Sequence, residues 1–97
     1  MTPEGKVKEQ VKKLLKEHGA YWHCPVQNGM GAPSLDFVGC HLGKFFAVET
    51  KAANKQPTPR QESTIADMRK AGGTVFVVNE FTGKQELELW LKRREEL

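Results

Sequence analysis

The apolar positions of the chain change period several times, and each change marks an element. Val7, Val11, Leu14 and Leu15 recur at helical spacing, behind a start signal in Thr2-Pro3-Glu4: a hydroxyl cap, a proline at the first helical position, and an acid facing the helix dipole. His18-Gly19 ends this first helix. AYWHCPV (20–26) is rich in strand-forming aromatics, and Pro25 points to an edge position or the end of the strand. A glycine-rich loop, QNGMGAPS (27–34), follows. LDFVGC (35–40) and FFAVETK (45–51), joined by HLGK, then read as a β-hairpin. After the polar connection ANKQPTP, Thr58-Pro59-Arg60-Gln61 opens a second helix with Ile65 and Met68 inside and Gly72-Gly73 at its close. TVFVV (74–78) is the most continuous apolar run and predicts a buried central strand. Thr82-Gly83-Lys84-Gln85 leads into a last helix on Leu87, Trp90 and Leu91, ending in the charges KRREEL. The predicted order is α-β-β-β-α-β-α, an α/β fold.

Ninety-seven residues fit one domain, 1–97, with one modest core. A hydrophobic content of 38% beside 28% charged residues is ordinary for a soluble chain, and no apolar run approaches the roughly 20 residues that span a bilayer. MTPEGKVKEQ is polar throughout, unlike a signal peptide, so the expected location is cytoplasmic. Cys24 and Cys40 are too few for a disulfide framework and are expected as reduced thiols in or near the core. A net charge of +3 and a pI near 9.0 lean toward anionic partners without specifying DNA. The lysines of the first helix, at 6, 8, 12, 13 and 16, form a solvated basic surface first and a phosphate-facing one second.

The hairpin carries the candidate chemistry. Side chains alternate across a strand, so Ala47, Glu49 and Lys51 share one face while Phe46, Val48 and Thr50 take the core face. A turn centred on Leu42-Gly43 pairs His41 with Lys44, Val38 with Ala47, and Asp36 with Glu49. Like charges directly opposed on one face destabilise the pair, so something must compensate. Two readings stand. One is a plain cross-strand Asp36–Lys51 pair on a wet sheet face, with Lys51 diagonal to Asp36. The other is a hard divalent cation, which takes oxygen ligands and suits Mg²⁺ better than zinc.

Two further polar residues point the same way. At about 100° per residue, Glu4 falls within the Val7-Val11-Leu14-Leu15 stripe and Glu9 nearly opposite it, so Glu4 can look inward. Gln61 lies in line with Ile65 and Met68, although Thr58-x-x-Gln61 is also a capping box. His23-Cys24 and Cys40-His41 resemble zinc ligand pairs, yet neighbouring strand residues face opposite ways and neither dipeptide easily aims both side chains at one ion. Neither phosphate-binding glycine fingerprint, G-x-x-x-x-G-K-[ST] or G-x-G-x-x-G, is present.

Asp36, a strand turn, then Glu49-Thr50-Lys51 resembles the D…E-x-K signature of the PD-(D/E)XK nuclease superfamily. More narrowly, TPEGKVK, NGMGAP, LDFVG, FFAVETK, TPRQ and AGGTVFVV resemble the small stand-alone VRR-NUC nucleases, many of them phage-encoded, from about Thr2 to Asn79. The signature usually has Pro-Asp where this chain has Leu35-Asp36. The resemblance implies a mixed sheet flanked by helices and a divalent-metal DNA endonuclease, a phosphodiester hydrolase. Asp36 and Glu49 would hold Mg²⁺ or Mn²⁺ with the backbone carbonyl of Thr50, and Glu4 would serve the metal shell. Lys51 would position the attacking water and stabilise phosphate charge, with Gln61 orienting Lys51 or substrate. Lys6, Lys44, Lys55 and Arg60, around the site, would contact the DNA backbone without reading sequence. Stand-alone members resemble homodimers that cut branched DNA such as four-way (Holliday) junctions, which need two symmetric cuts. Single-stranded or flap DNA, or a non-catalytic DNA-binding role, are the alternatives.

Overall fold

A computed structural model describes residues 1–26 and 33–95 of the chain. Its elements are α1 (Pro3–Glu17), β1 (Tyr21–His23), β2 (Phe37–His41), β3 (Lys44–Thr50), α2 (Pro59–Lys70), β4 (Thr74–Val78) and α3 (Lys84–Glu95), in the predicted α-β-β-β-α-β-α order. Most of the glycine-rich loop, 27–32, lies outside the described residues.

Local chemistry sets the boundaries. Thr2 caps α1 by accepting the Gly5 N–H at 3.0 Å, and His18 closes it by donating its N–H to the Leu14 carbonyl. In α2 the capping box is complete: the Thr58 hydroxyl accepts the Gln61 N–H, and Gln61 Oε1 accepts the Thr58 N–H at 2.9 Å. Gly72, at φ 98°, lets the chain leave α2 in a left-handed conformation that Ala71 before it does not take.

The sheet order is β1-β2-β3-β4, with antiparallel pairing up to β3 and a parallel β3–β4 pair, so the sheet is mixed. Between His41 and Lys44, Leu42 and Gly43 both have positive φ (49° and 86°), the backbone of a two-residue hairpin turn that matches strand twist. That turn fixes the predicted register: His41 pairs with Lys44, Val38 with Ala47, and the ladder ends at Phe37–Val48. TVFVV is β4, at the sheet edge rather than its centre. An apolar run reports cover on both faces, which helices supply here, and says nothing about how many strands flank it.

Two cores sandwich the sheet. Val7, Val11, Leu14 and Leu15 of α1 and Leu87 and Leu91 of α3 bury Phe37, Phe46, Val48 and Val78. Each such side chain, fully removed from water, is worth about 1.5–3 kcal/mol. Trp90 lies edge-on to this core, 5.6 Å from Phe46 and 5.8 Å from Phe76 between ring centres. On the opposite face Ile65 of α2 packs on Leu35, Ala47 and Val75, with Met68 alongside. The face shared by Ala47 and Glu49 is therefore covered and dry at Ala47, not the wet face of the plain ion-pair reading. Leu35 stands in place of the usual proline and fills this second core, fully buried.

Cys24 and Cys40 are both exposed, contrary to expectation, because Cys40 falls on the half of the α2 face that no described helix covers. His41 points the other way into the first core, its Nε2 3.1 Å from the Leu91 carbonyl oxygen, so Cys40 and His41 diverge as alternation requires. Among the described residues no helix is long and apolar enough to cross a membrane.

Candidate active site

The parallel β3–β4 pair ends where the chain leaves for α2, and the polar residues of the hairpin gather at that end. Glu49 pairs with Val77, its side chain turned toward the α2 side and only 2% exposed. One residue beyond the last paired rung, Asp36 sits at a bend before β2, and its N–H donates to Glu49 Oε1 at 3.3 Å. The predicted Asp36–Glu49 juxtaposition is thus present. The bend turns the Asp36 carboxylate toward Thr50: Oδ2 accepts the Thr50 N–H at 2.9 Å and the Thr50 hydroxyl at 2.7 Å. Two donors on one oxygen anchor Asp36 and leave Oδ1 as its outward-facing acceptor. Thr50, assigned by alternation to the core alone, is fully buried and orients this carboxylate as well.

Lys51 Nζ lies 3.5 Å from Glu49 Oε2. It partners Glu49 rather than the diagonal Asp36. The cation beside Asp36 is Lys8 of α1, Nζ 3.8 Å from Oδ1. By sequence Lys8 belongs with the solvated lysines of α1, and only the seating of α1 on the sheet distinguishes it. Burial, and then the charge of Asp36, push the Glu49 carboxyl up to about 7, against the smaller opposing pull of Lys51 and the Asp36 N–H. The site is therefore a pair of coupled carboxylates, one of which is hard to ionise.

The other predicted residues divide by location. Glu4 occupies the first turn of α1, half-buried, but no third His, Cys, Asp or Glu joins Asp36 and Glu49 as a metal-ligating group among the described residues. Gln61 sits in the first turn of α2, near the carboxylate end of the sheet, with its carbonyl oxygen committed to the cap and its amide NH₂ left as a donor. Lys55 and Arg60, both exposed, lie on the connection and first turn that follow Lys51; Lys6 is exposed on α1. Lys44 begins β3, five residues before Glu49, and at about 3.3 Å per residue stands roughly 16 Å away, at the far end of the strand. It is not around the site.

The donor set fits a hard divalent cation. Asp36 Oδ1 and Glu49 Oε2 are carboxylate oxygens whose nearby charge partners are the lysines 8 and 51, and a doubly charged ion would relieve both their repulsion and the cost of ionising Glu49. Two carboxylates completed by backbone oxygen, water and phosphate is how Mg²⁺ is usually held, whereas zinc prefers the nitrogen and sulfur ligands missing from this pair.

Fold and site together define a small α/β domain with paired carboxylates and a lysine at the ends of its parallel strands. A solved structure titled "VRR_NUC domain" superposes with a TM-score of 0.72, covering 99% of this chain and 97% of that one at 24% sequence identity. The chain has the fold of a VRR_NUC domain. No family model matches the sequence, and no curated protein matches it.

Proposed function

We propose that the chain is a divalent-metal-dependent DNA endonuclease. The observation that carries this reading is the pairing of buried Glu49 with part-buried Asp36, braced by Thr50 and flanked by Lys51, on a VRR_NUC fold. Asp36 and Glu49 would hold Mg²⁺ or Mn²⁺, with the Thr50 carbonyl as a further ligand and Glu4 reaching the ion through water. A cation held there supplies Lewis-acid stabilisation of charge on the phosphate and acidifies water. Lys51, its side chain 14% exposed, is held by Glu49 where it can orient the attacking water and stabilise negative charge. The amide NH₂ of Gln61 is a donor available to a phosphate oxygen; orienting the donor-only ammonium of Lys51 would fall to Gln61 Oε1, which also accepts the Thr58 N–H. Lys6, Lys55 and Arg60 contribute sequence-independent backbone contacts, and Lys44 a more distant one. Branched DNA is the preferred substrate, cut by a homodimer, since one small subunit offers one site and a junction needs two symmetric cuts.

A second reading has its own observation. Tyr21, 69% exposed, and Phe45, 44% exposed, both partner Cys40 and share its side of the sheet. Exposed rings in a row can stack unpaired bases, which favours single-stranded or flap DNA.

Incubating the protein with labelled four-way junction, flap, duplex and single strand, in Mg²⁺, Mn²⁺ or EDTA, separates these readings. The expected result is metal-dependent cleavage concentrated on the junction. Cleavage confined to single strands and flaps would select the second reading, and no cleavage of any substrate would sink both.

A further inference from the structure

Asp36 meets two different kinds of partner. Its Oδ2 is fixed by Thr50, whereas Oδ1 faces Lys8 at 3.8 Å, a longer contact from a side chain that is 40% exposed. Oδ1 is also the oxygen through which Asp36 would hold a metal ion. An ammonium and a divalent cation cannot both remain at one carboxylate oxygen without strong repulsion, and the lysine has the free stem with which to leave.

We infer that Lys8 is an exchangeable cation of the site: it neutralises Asp36 while the metal is absent and swings to the substrate phosphate when the metal arrives. This rests on the nuclease reading and adds to it a phosphate-binding residue and a coupling. α1 sets the arrangement. Glu4 and Lys8 are one helical turn apart, and Val7 and Val11 pin the helix to the sheet. The seating of α1 places the Lys8 ammonium at Asp36, whereas Lys13 is exposed and, at about 100° per residue, roughly 140° further round the helix. Displaced from Oδ1, the Lys8 head group can reach the phosphate that a bound metal would also hold, a stronger attractor than Glu4 one turn away. Metal and DNA would therefore bind with positive coupling: each removes the competitor of the other.

The two arms of the exchange predict opposite effects of one substitution. In Lys8→Met the stem and its packing remain while the charge is lost. Mn²⁺ binding to the DNA-free protein, measured by titration calorimetry, should tighten about fivefold, the scale of a partly exposed ion pair. DNA binding in Ca²⁺, measured by fluorescence anisotropy across a salt series, should weaken, with the slope of log K against log salt reduced by about one. Lys8→Arg should restore the salt slope, and Lys13→Met should leave Mn²⁺ affinity unchanged. Unchanged or weaker Mn²⁺ binding in Lys8→Met would overturn the exchange, as would tighter Mn²⁺ binding with an unchanged salt slope. If the wild type binds no Mn²⁺ at all, the nuclease reading itself falls and this inference with it; a wild type that binds and cleaves while Lys8→Met behaves identically refutes the Lys8 role alone.

Discussion

Replacing Glu49 with glutamine should abolish the proposed activity and yet stabilise the metal-free protein. The Glu49 carboxyl is pushed from its ordinary value of 4.5 up to about 7, first by burial and then by Asp36. Each pH unit between the folded and unfolded values corresponds to about 1.36 kcal/mol, so ionising this side chain inside the fold costs roughly 3 kcal/mol more than in the unfolded chain. The sign follows from proton binding. Below pH 4.5 the carboxyl is protonated in both states and contributes nothing. Between 4.5 and about 7 the folded protein keeps a proton that the unfolded chain has lost, so stability falls as pH rises. Above that range both states are ionised and the full cost is present. Glutamine never ionises, and its Oε1 can still accept the Asp36 N–H that Glu49 now accepts.

The measurement is urea unfolding followed by far-ultraviolet circular dichroism, in EDTA, at intervals from pH 4.5 to 8.5. The stability difference between Glu49→Gln and wild type should be near zero at the acid end and grow to roughly 3 kcal/mol in favour of the variant at the alkaline end. For a small domain this moves the urea midpoint by about 1–3 M. Taking the difference between the two proteins removes every contribution they share. A difference that does not change with pH, or a variant less stable at pH 8, would refute the burial argument. Mg²⁺ at pH 8 should raise the wild-type midpoint and leave that of the variant nearly unmoved.

Other substitutions separate site from scaffold. Lys51→Ala should eliminate cleavage while leaving the circular dichroism spectrum and DNA binding largely intact; loss of the folded spectrum would instead make Lys51 structural. Glu4→Ala should reduce cleavage, whereas Glu9→Ala, which loses only an exposed contact to Lys12 at 3.1 Å, should stay within about 0.5 kcal/mol in stability and near wild type in activity. Equal activities in those two variants would overturn the placement of Glu4. Gly39→Ala should destabilise by on the order of 2–3 kcal/mol in thermal unfolding, because its Cβ would run into the Tyr21 carbonyl oxygen and force β1 away from β2.

What the sequence made legible was what local rules determine. The α1 cap, the α2 capping box and the hairpin register follow from residues within a few positions of one another, and Leu42-Gly43 in left-handed conformation leaves β2 and β3 a single alignment. The Asp36–Glu49 juxtaposition follows from that alignment by counting. What depends on the seating of a helix was not legible. Five lysines on α1 are alike in composition, and the one at Asp36 is selected by the rotation and translation of the helix over the sheet. The wet-face reading of Ala47 and Glu49 went astray for a related reason. A polar residue at the end of a strand does not label its whole face: Ile65 and Met68 of α2 need an apolar surface, and a parallel β3–α2–β4 crossover must lay its helix on one face of the sheet.

That correction changes the chemistry as well as the packing. On a wet face, Glu49 would ionise freely and Lys51 would be one screened surface charge among many. Under α2, the same carboxylate resists ionisation and every compensating charge counts for more, so the placement of Ile65 and Ala47 raises the demand of ionised Glu49 for a nearby positive charge. It also explains the division of labour around Asp36. The bonds from Thr50 use short, buried groups that hold the carboxylate whether or not anything is bound. The ammonium group of Lys8 sits on a partly exposed stem that can yield to an incoming ion, whereas Lys51, mostly buried, stays beside Glu49. A carboxylate held on one side by fixed donors and on the other by a movable charge is ordered in advance and still open to a cation.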